Sequence, residues 1–415
     1  RGDFSSAEVT RQRVKLVGAL DTIDADVVGL VELENNASES LKSLIDGLNA
    51  VVGTGTYSYI DTGTIGSDAI KVGLLYKAAT VTPTGLTAVL DSQGFVDPND
   101  TGTPRNRPAL AQTFEESSTG AAMIVVVNHF KSKGSSCGAG DDSPDDGQGN
   151  CNGTRAGAAT ELLNWLATDP TGTGDPDVLI TGDQNAYAKE DPISAILNAG
   201  YTDLIRQFEG DAAYSFVFDG QIGYLDHALA SSTLAPQVTG VTEWHINADE
   251  VNVFDYNDDV RDAGEESFEE KPDGNELYEP DAFRSSDHDP VVIGFDLDEP
   301  LPAVVIDIKP GSDRNPLNLK SRGVIPVAIL GSASFDVTEV DGSTLAFGPA
   351  GAPGAKRNGP NVEDVNDDGF PDLVAHFRTQ STGITRGDTE ACLSGELLDG
   401  TPFEACDAIV TVPRR

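Results

Sequence analysis

One ten-residue stretch constrains this chain more than any other: Asp177-Val-Leu-Ile-Thr-Gly-Asp183-Gln-Asn185-Ala186. Val178, Leu179 and Ile180 follow Asp-Pro punctuation and predict a buried strand. The strand runs into Gly182, after which an acid and an amide stand two residues apart. Residues i and i+2 of an extended chain point the same way, so Asp183 and Asn185 are expected to face one pocket at the strand's carboxyl end. A carboxylate beside a neutral amide suits a hard cation and a phosphate oxygen. The other reading of the stretch is an Asx turn that closes a strand.

The remaining composition narrows the classes. A length of 415 residues suggests two domains, with three as an alternative, and 38% hydrophobic residues suffice for real cores. The formal net charge is −41, from 68 acidic against 27 basic residues. Such a surface repels polyanions, so a nucleic-acid binder of this kind needs metal ions, a local basic patch or high salt. The balance resembles salt-adapted secreted proteins, or a very soluble extracellular one. Cys137, Cys151, Cys392 and Cys406 fall into two pairs, each 14 positions apart and in loop-like sequence. Two local disulfides in an oxidising compartment are expected, Cys137–Cys151 and Cys392–Cys406, with a zinc site as the rival although no Cys-x-x-Cys occurs. No apolar run reaches transmembrane length, so no membrane insertion is expected, and a monomer is.

Along the chain, Ser5 to Glu8 fits a capping box ahead of a helix whose face carries Val9, Leu16, Val17 and Leu20. A strand over Ala25 to Leu33 ends in the polar residues Glu32, Glu34 and Asn35-Asn36, and Leu41, Leu44, Ile45 and Leu48 mark a second helix. Tyr57 to Ile60 and Ala69 to Tyr76 read as paired strands, and Met123 to Val127 runs directly into Asn128-His129. A Gly/Ser/Asp-rich loop over Lys131 to Gly153 precedes a helix over Arg155 to Leu166, and Pro192 opens another helix. Tyr214 to Phe218 and Ile222 to Leu229 flank Asp219-Gly220 as a hairpin. Asp255 to Asp281 is acidic and aperiodic, an expected exposed loop. Hairpins mixed with helices argue for a largely antiparallel layered α/β fold. After Asp296-Leu-Asp-Glu-Pro-Leu-Pro302 the chain turns to short strands, and Pro326 within one of them suggests an edge or a bulge.

Five apolar runs end in residues suited to phosphoester chemistry: Glu32, Asn128-His129, Asp183-x-Asn185, Asp226-His227 and Ser286-Asp287-His288-Asp289. The ordered set resembles the endonuclease/exonuclease/phosphatase superfamily. Ala69 to Tyr76, Asn128 to Lys133 and Trp244-His-Ile-Asn-Ala-Asp249 are similar to its secreted bacterial nucleases. The resemblance implies a two-sheet mixed β-sandwich flanked by helices (four layers, α/β/β/α) over residues 1–298, with a small all-β accessory domain over 299–415. It also implies site roles. Glu32 is the metal-binding glutamate and Asp287 an auxiliary metal ligand. Asp183 and Asn185 hold the scissile phosphate and the nucleophilic water. His288 is the general base oriented by Asp226, and His129 contacts the phosphate or acts as general acid. Asn128, Arg105 and Arg107 reach substrate phosphate, the arginines having a solvated turn as their other reading. Carboxylate and amide oxygens suit Mg²⁺, Mn²⁺ or Ca²⁺ rather than zinc, and Mg²⁺ or Mn²⁺ is expected at the catalytic site.

The family takes a metal-binding asparagine from a strand ahead of the first helix, and no counterpart is expected here. The accessory module resembles a domain appended to secreted bacterial proteins, through Ile306 to Gly311 and Gly323 to Leu330. Within it Asp364, Asn366, Asp368 and Asp372 have the oxygen spacing of a calcium loop, but position twelve is Ala375, so a structural Ca²⁺ and an acidic turn both fit. The implied function is an extracellular metal-dependent nuclease acting on DNA, with RNA as an alternative substrate. A phosphomonoesterase or phospholipase of the same superfamily is the alternative enzyme, and a non-catalytic surface or matrix protein the alternative from another class.

Overall fold

The computed structural model describes residues 6–138, 140–143, 146–257, 277–297, 304–312, 314–332, 335–355, 359–398 and 401–412. The chain divides into two compact units, Arg1–Glu299 and Pro300–Arg415.

The first unit opens with α1 (Ser6–Ile23), β1 (Val27–Glu34), α2 (Glu39–Val52), β2 (Tyr57–Tyr59) and β3 (Ile70–Lys77). Next come β4 (Val81–Leu90), the single turn α3 (Gln93–Val96), β5 (Ala109–Glu116), β6 (Ala122–His129), α4 (Asn152–Leu166) and β7 (Val178–Asp183). It continues through α5 (Asp191–Asn198), β8 (Thr202–Asp203), α6 (Leu204–Glu209), β9 (Phe216–Phe218), β10 (Gln221–Gly223), β11 (Asp226–Ala230), β12 (Val238–Glu243) and β13 (Val291–Phe295). Six strands form one mixed sheet in the order β4-β5-β6-β7-β11-β8, with β6 and β7 its parallel pair. Strands β1-β3-β2 and β12-β13 form two smaller sheets.

The periodicity of each run decides its layer. Leu41, Leu44, Ile45 and Leu48 of α2 pack with Val17 and Leu20 of α1 on the outer side of β3. Ala158 and Leu162 of α4, with Ile196 of α5, cover Ile124, Val126 and Ile180 on the outer side of the large sheet. The opposite faces of these strands, Val125, Val127 and Leu179 against Val72 and Leu74, make the core between the sheets. Alternation along each strand thus yields the four-layer α/β/β/α sandwich.

The second layer is in two pieces. β1 pairs with β3 and β13 with β12, and both strands line one cleft of about 1610 Å³ floored by Val125, Val127 and Leu179. Val127 leaves no room for a side chain at Gly29 of β1.

Several expectations need correction. Val9 is exposed rather than part of the buried helix face. The expected second hairpin strand splits: β10 ends at Gly223, and β11 leaves the hairpin to pair with β7. The cause is a backbone switch at Leu225, whose carbonyl accepts from Gln184 N. The capping box includes Ser5, and the acidic loop includes 258–276, which lie outside the described residues.

The second unit contains β14 (Val305–Ile308), β15 (Pro316–Leu317), β16 (Val324–Leu330), β17 (Ala346–Phe347), β18 (Ala352–Pro353), β19 (Asn361–Glu363), β20 (Asp372–Arg378), β21 (Glu390–Glu396), β22 (Pro402–Ala408) and β23 (Val410–Thr411). Its sheets β14-β16-β20-β19 and β18-β17-β21-β22 enclose a core that includes Phe347, Phe377 and Leu393. Pro326 lies on neither an edge strand nor a bulge. It sits in β16, between β14 and β20, one residue beyond the last β14 pair, and its carbonyl still accepts from Lys309 N. Both expected disulfides are present, Cys137–Cys151 and Cys392–Cys406.

Candidate active site

Three neighbouring strands of the large sheet deliver one rung of polar side chains. His129 ends β6 and pairs with Asp183 at the end of β7, which pairs in turn with Asp226 at the start of β11. All three share the face that carries Val127 and Thr181. His129 Nε2 lies 3.4 Å from Asp183 Oδ2 and 3.9 Å from Glu32 Oε1. His288 arrives from the segment before β13, and its Nδ1 is 2.6 Å from Asp226 Oδ2. The site therefore sits where the two β layers meet.

Gly182 makes the rung possible. Its φ is +105°, and a Cβ there would fall on the Asn128 carbonyl oxygen, so only glycine lets β7 lie this close to β6. Asn185 follows in the left-handed region, at φ +47°. Its backbone N–H donates to Asp183 Oδ1 at 2.7 Å, and its amide donates to Asp183 Oδ2 at 2.8 Å and to Phe130 O at 3.1 Å. The stretch is thus an Asx turn and part of the site at once.

Glu32 is aimed by an irregularity. The β1–β3 register shifts between Leu30 and Leu33, and Glu32 takes φ +58°. A bulge re-aims a side chain that strict alternation would send elsewhere. Asp287 lies exposed beside His288.

Burial dominates the electrostatics. It pushes Asp183 up to about 7, with help from the Asp226 and Glu32 carboxylates. Burial also drives His129 down to about 3, reinforced by Arg107, His288 and Lys131, which leaves a neutral imidazole near pH 7. Burial opposes charge on His288 too, but Asp226, Asp183 and Asp287 outweigh it and raise the imidazole to about 10. Burial, helped by the neighbouring carboxylates, favours a proton on Asp183, and the oxygen donors of Asp183, Asn185 and Glu32 are of the kind a hard divalent cation takes.

Not every expected residue joins the cluster. Asn128 is fully buried and points to the opposite face of β6 from His129, since adjacent strand residues alternate. Arg107 approaches the site but already donates to Asp68 Oδ2 at 2.9 Å and to Phe130 O at 3.0 Å. Arg105 Nε is buried without a partner. Asp364, Asn366 and Asp368 turn their oxygens to N–H groups of their own loop. Asp372 is buried, with one oxygen on Gly331 N and the other on Val365 N. Among the described residues, three His, Cys, Asp or Glu ligand atoms converge only at the two disulfides, whose sulfurs are already bonded to each other.

Sequence reasoning missed the residues that hold the cluster in place. Ser215 is buried and donates to Asp226 Oδ2 at 2.7 Å. Phe216 stacks on His288, centroids 4.6 Å apart. Asn247 is buried: its Oδ1 accepts from Ser285 N at 2.8 Å and its Nδ2 donates to His288 O at 2.7 Å. A lone serine or phenylalanine gives no sequence signal, whereas Asn247 lies inside the Trp244 to Asp249 motif.

Residues 2–288 match the Endonuclease/Exonuclease/phosphatase family. The chain belongs to that family, whose wider superfamily comprises nucleases and phosphatases that typically use divalent metals such as Mg²⁺. Among solved structures it is similar to a mannosyl-6-phosphatase of Bacteroides thetaiotaomicron, with 16% identity, 70% of this chain and 92% of that one covered, and a TM-score of 0.46. It is similar also to an AP endonuclease of Archaeoglobus fulgidus, with 15% identity, coverage of 69% and 95%, and a TM-score of 0.43. The catalytic domain of human Nocturnin gives 14% identity, coverage of 58% and 82%, and a TM-score of 0.41. No curated protein matches. The two disulfides fit a secreted protein, and among the described residues no helix is long and apolar enough to cross a membrane.

Proposed function

We propose that this chain is an extracellular, divalent-metal-dependent nuclease that hydrolyses phosphodiester bonds of DNA. The observation that carries the reading is the His288–Asp226 pair at 2.6 Å, with Asp183 and His129 in the same rung as Asp226 on the adjoining strands. Arg107 and Lys131, whose charge reaches His129, favour an anionic substrate, and the disulfides favour an oxidising compartment.

Each residue then has a task. His288 keeps Nδ1 on Asp226, which fixes the tautomer and leaves Nε2 to take a proton from water. Ser215 holds Asp226 in place. Asp183, locked by the backbone and amide of Asn185, orients that water. His129, neutral and buried between two carboxylates, donates a hydrogen bond to a phosphate oxygen. Glu32 and Asp287 would hold Mg²⁺ or Mn²⁺. Bound there, the cation supplies charge that stabilises the phosphoryl transition state and offsets the carboxylates that keep His288 protonated.

Plasmid DNA tests the reading. Chelation should abolish cleavage and added Mg²⁺ restore it, while His288→Ala should lower turnover roughly 10²–10⁴-fold. Full activity in excess chelator, or a near-wild-type His288→Ala rate, would refute it.

A further inference from the structure

The hairpin β9–β10 carries apolar side chains into solvent next to the catalytic pair. Phe218 is 68% exposed and Ile222 61%. Single exposed apolar residues are ordinary, but these stand on a two-stranded ribbon that belongs to no larger sheet and touches His288. The turn Asp219-Gly220 has φ of +50° and +73°, the tight two-residue geometry that keeps the ribbon rigid.

The register separates the two faces. Phe216 and Phe218 share one face, opposite Gly223 and Gln221, while Val217 and Ile222 share the other. Phe216 stacks on the His288 ring. Gly223 adds no side chain to that face, and a Cβ there would strike the Tyr187 ring, so Tyr187 fills the space. Phe218 lies one strand repeat outward, roughly 6–7 Å from Phe216. One face of the ribbon thus carries Phe216 against the catalytic imidazole and, two residues on, Phe218 in solvent.

Charge says what such a face is for. Residues 1–299 contain 52 acidic and 17 basic residues. Beyond the immediate site, this surface offers a polyanion little long-range attraction, so affinity must come from contacts that salt does not screen. Stacking on an aromatic ring is such a contact, and it accepts any base because every base has a π-face.

Resting on the nuclease reading, we propose that Phe218, continued inward by Phe216, is a stacking platform for an unstacked nucleobase beside the scissile phosphate, which directs the enzyme to single-stranded or distorted DNA. The test compares kcat/KM for two single-stranded oligonucleotides of equal length, one of thymidines and one of tetrahydrofuran abasic units. The wild type should prefer the strand with bases. Phe218→Ala should shrink that preference roughly 5- to 100-fold, chiefly through KM, and Phe218→Trp should keep it. Ile222→Ala, on the other face, should keep it as well.

Turnover of both strands by the wild type without base preference would overturn the platform and leave the nuclease reading standing. Equal loss of preference in Ile222→Ala and Phe218→Ala would also overturn it, in favour of hairpin packing. Failure of the wild type to cut either strand would overturn the platform, while cleavage of plasmid DNA by the same preparation decides the nuclease reading separately. If phosphatidylcholine vesicles then bind the wild type but not Phe218→Ala, the hairpin is a membrane contact instead.

Discussion

Asn247 shows how much of this site depends on a residue with no chemistry of its own. Its Oδ1 accepts from Ser285 N and Ser286 N, its Nδ2 donates to His288 O, and its backbone N–H donates to Asp289 Oδ1. One buried amide therefore shapes the segment that presents Asp287 and His288. Asn247→Ala would strand several buried polar groups, at about 1–3 kcal/mol each. Because small displacements of a base are costly, kcat should fall by about 10²-fold with KM little changed, measured well below the melting temperature of the variant. Unchanged kcat in a folded Asn247→Ala protein would reduce the amide to a packing role. Some of these roles were legible in advance. Strand alternation accounts for Asp183 in the rung, but Asn185 lies beyond the end of β7 with φ +47° and meets Asp183 through an Asx turn instead. The same rule, applied to Asn128-His129, would have turned Asn128 away from the site. The contact of Asp226 with His288 was not legible from spacing, since 62 residues separate them and only the meeting of two sheets joins them.

Among elements, those fixed by local rules match their expectations. The helix of Leu41 to Leu48 has its apolar face buried, and Asp219-Gly220 makes the turn. Elements fixed by tertiary pairing do not. β10 and β11 looked like one strand because nothing local marks the switch to β7, and Pro326 looked like an edge because the end of the β14 ladder is invisible in sequence. The β6–β7 pair offers a test of one such tertiary constraint. At Gly182 a side chain meets both an unfavourable φ and the Asn128 backbone, whereas at Gly55, φ +80°, nothing lies within 4 Å. Gly55→Ala should cost only the left-handed penalty, about 1–2 kcal/mol. Gly182→Ala should cost clearly more in urea unfolding, and it should reduce activity by moving Asp183. Equal costs at the two positions would mean that the parallel strands can part without penalty.

At the scale of the whole molecule, each unit has its own core. The apolar clusters of the first draw on residues from Leu16 to Leu297, and that of the second on Val304 to Ile409. Each unit also closes its own disulfide. Every residue given a catalytic role, from Glu32 to His288, lies in the first. A unit with a complete core of this size is expected to fold alone. Ending the chain after Glu299 should therefore leave kcat and KM on plasmid DNA unchanged. Calorimetry should show the truncated protein unfolding at a temperature that coincides with one component of the full-length trace, since two independent cores need not melt together. The cut keeps Leu297, which packs into the core between the sheets, and Asp296, whose N–H donates to Gln237 O. A cut before Asp296 removes both and should lower that melting temperature. A folded 1–299 protein without turnover would show that the second unit serves catalysis, and a single shared transition in the full chain would show that the two cores are coupled.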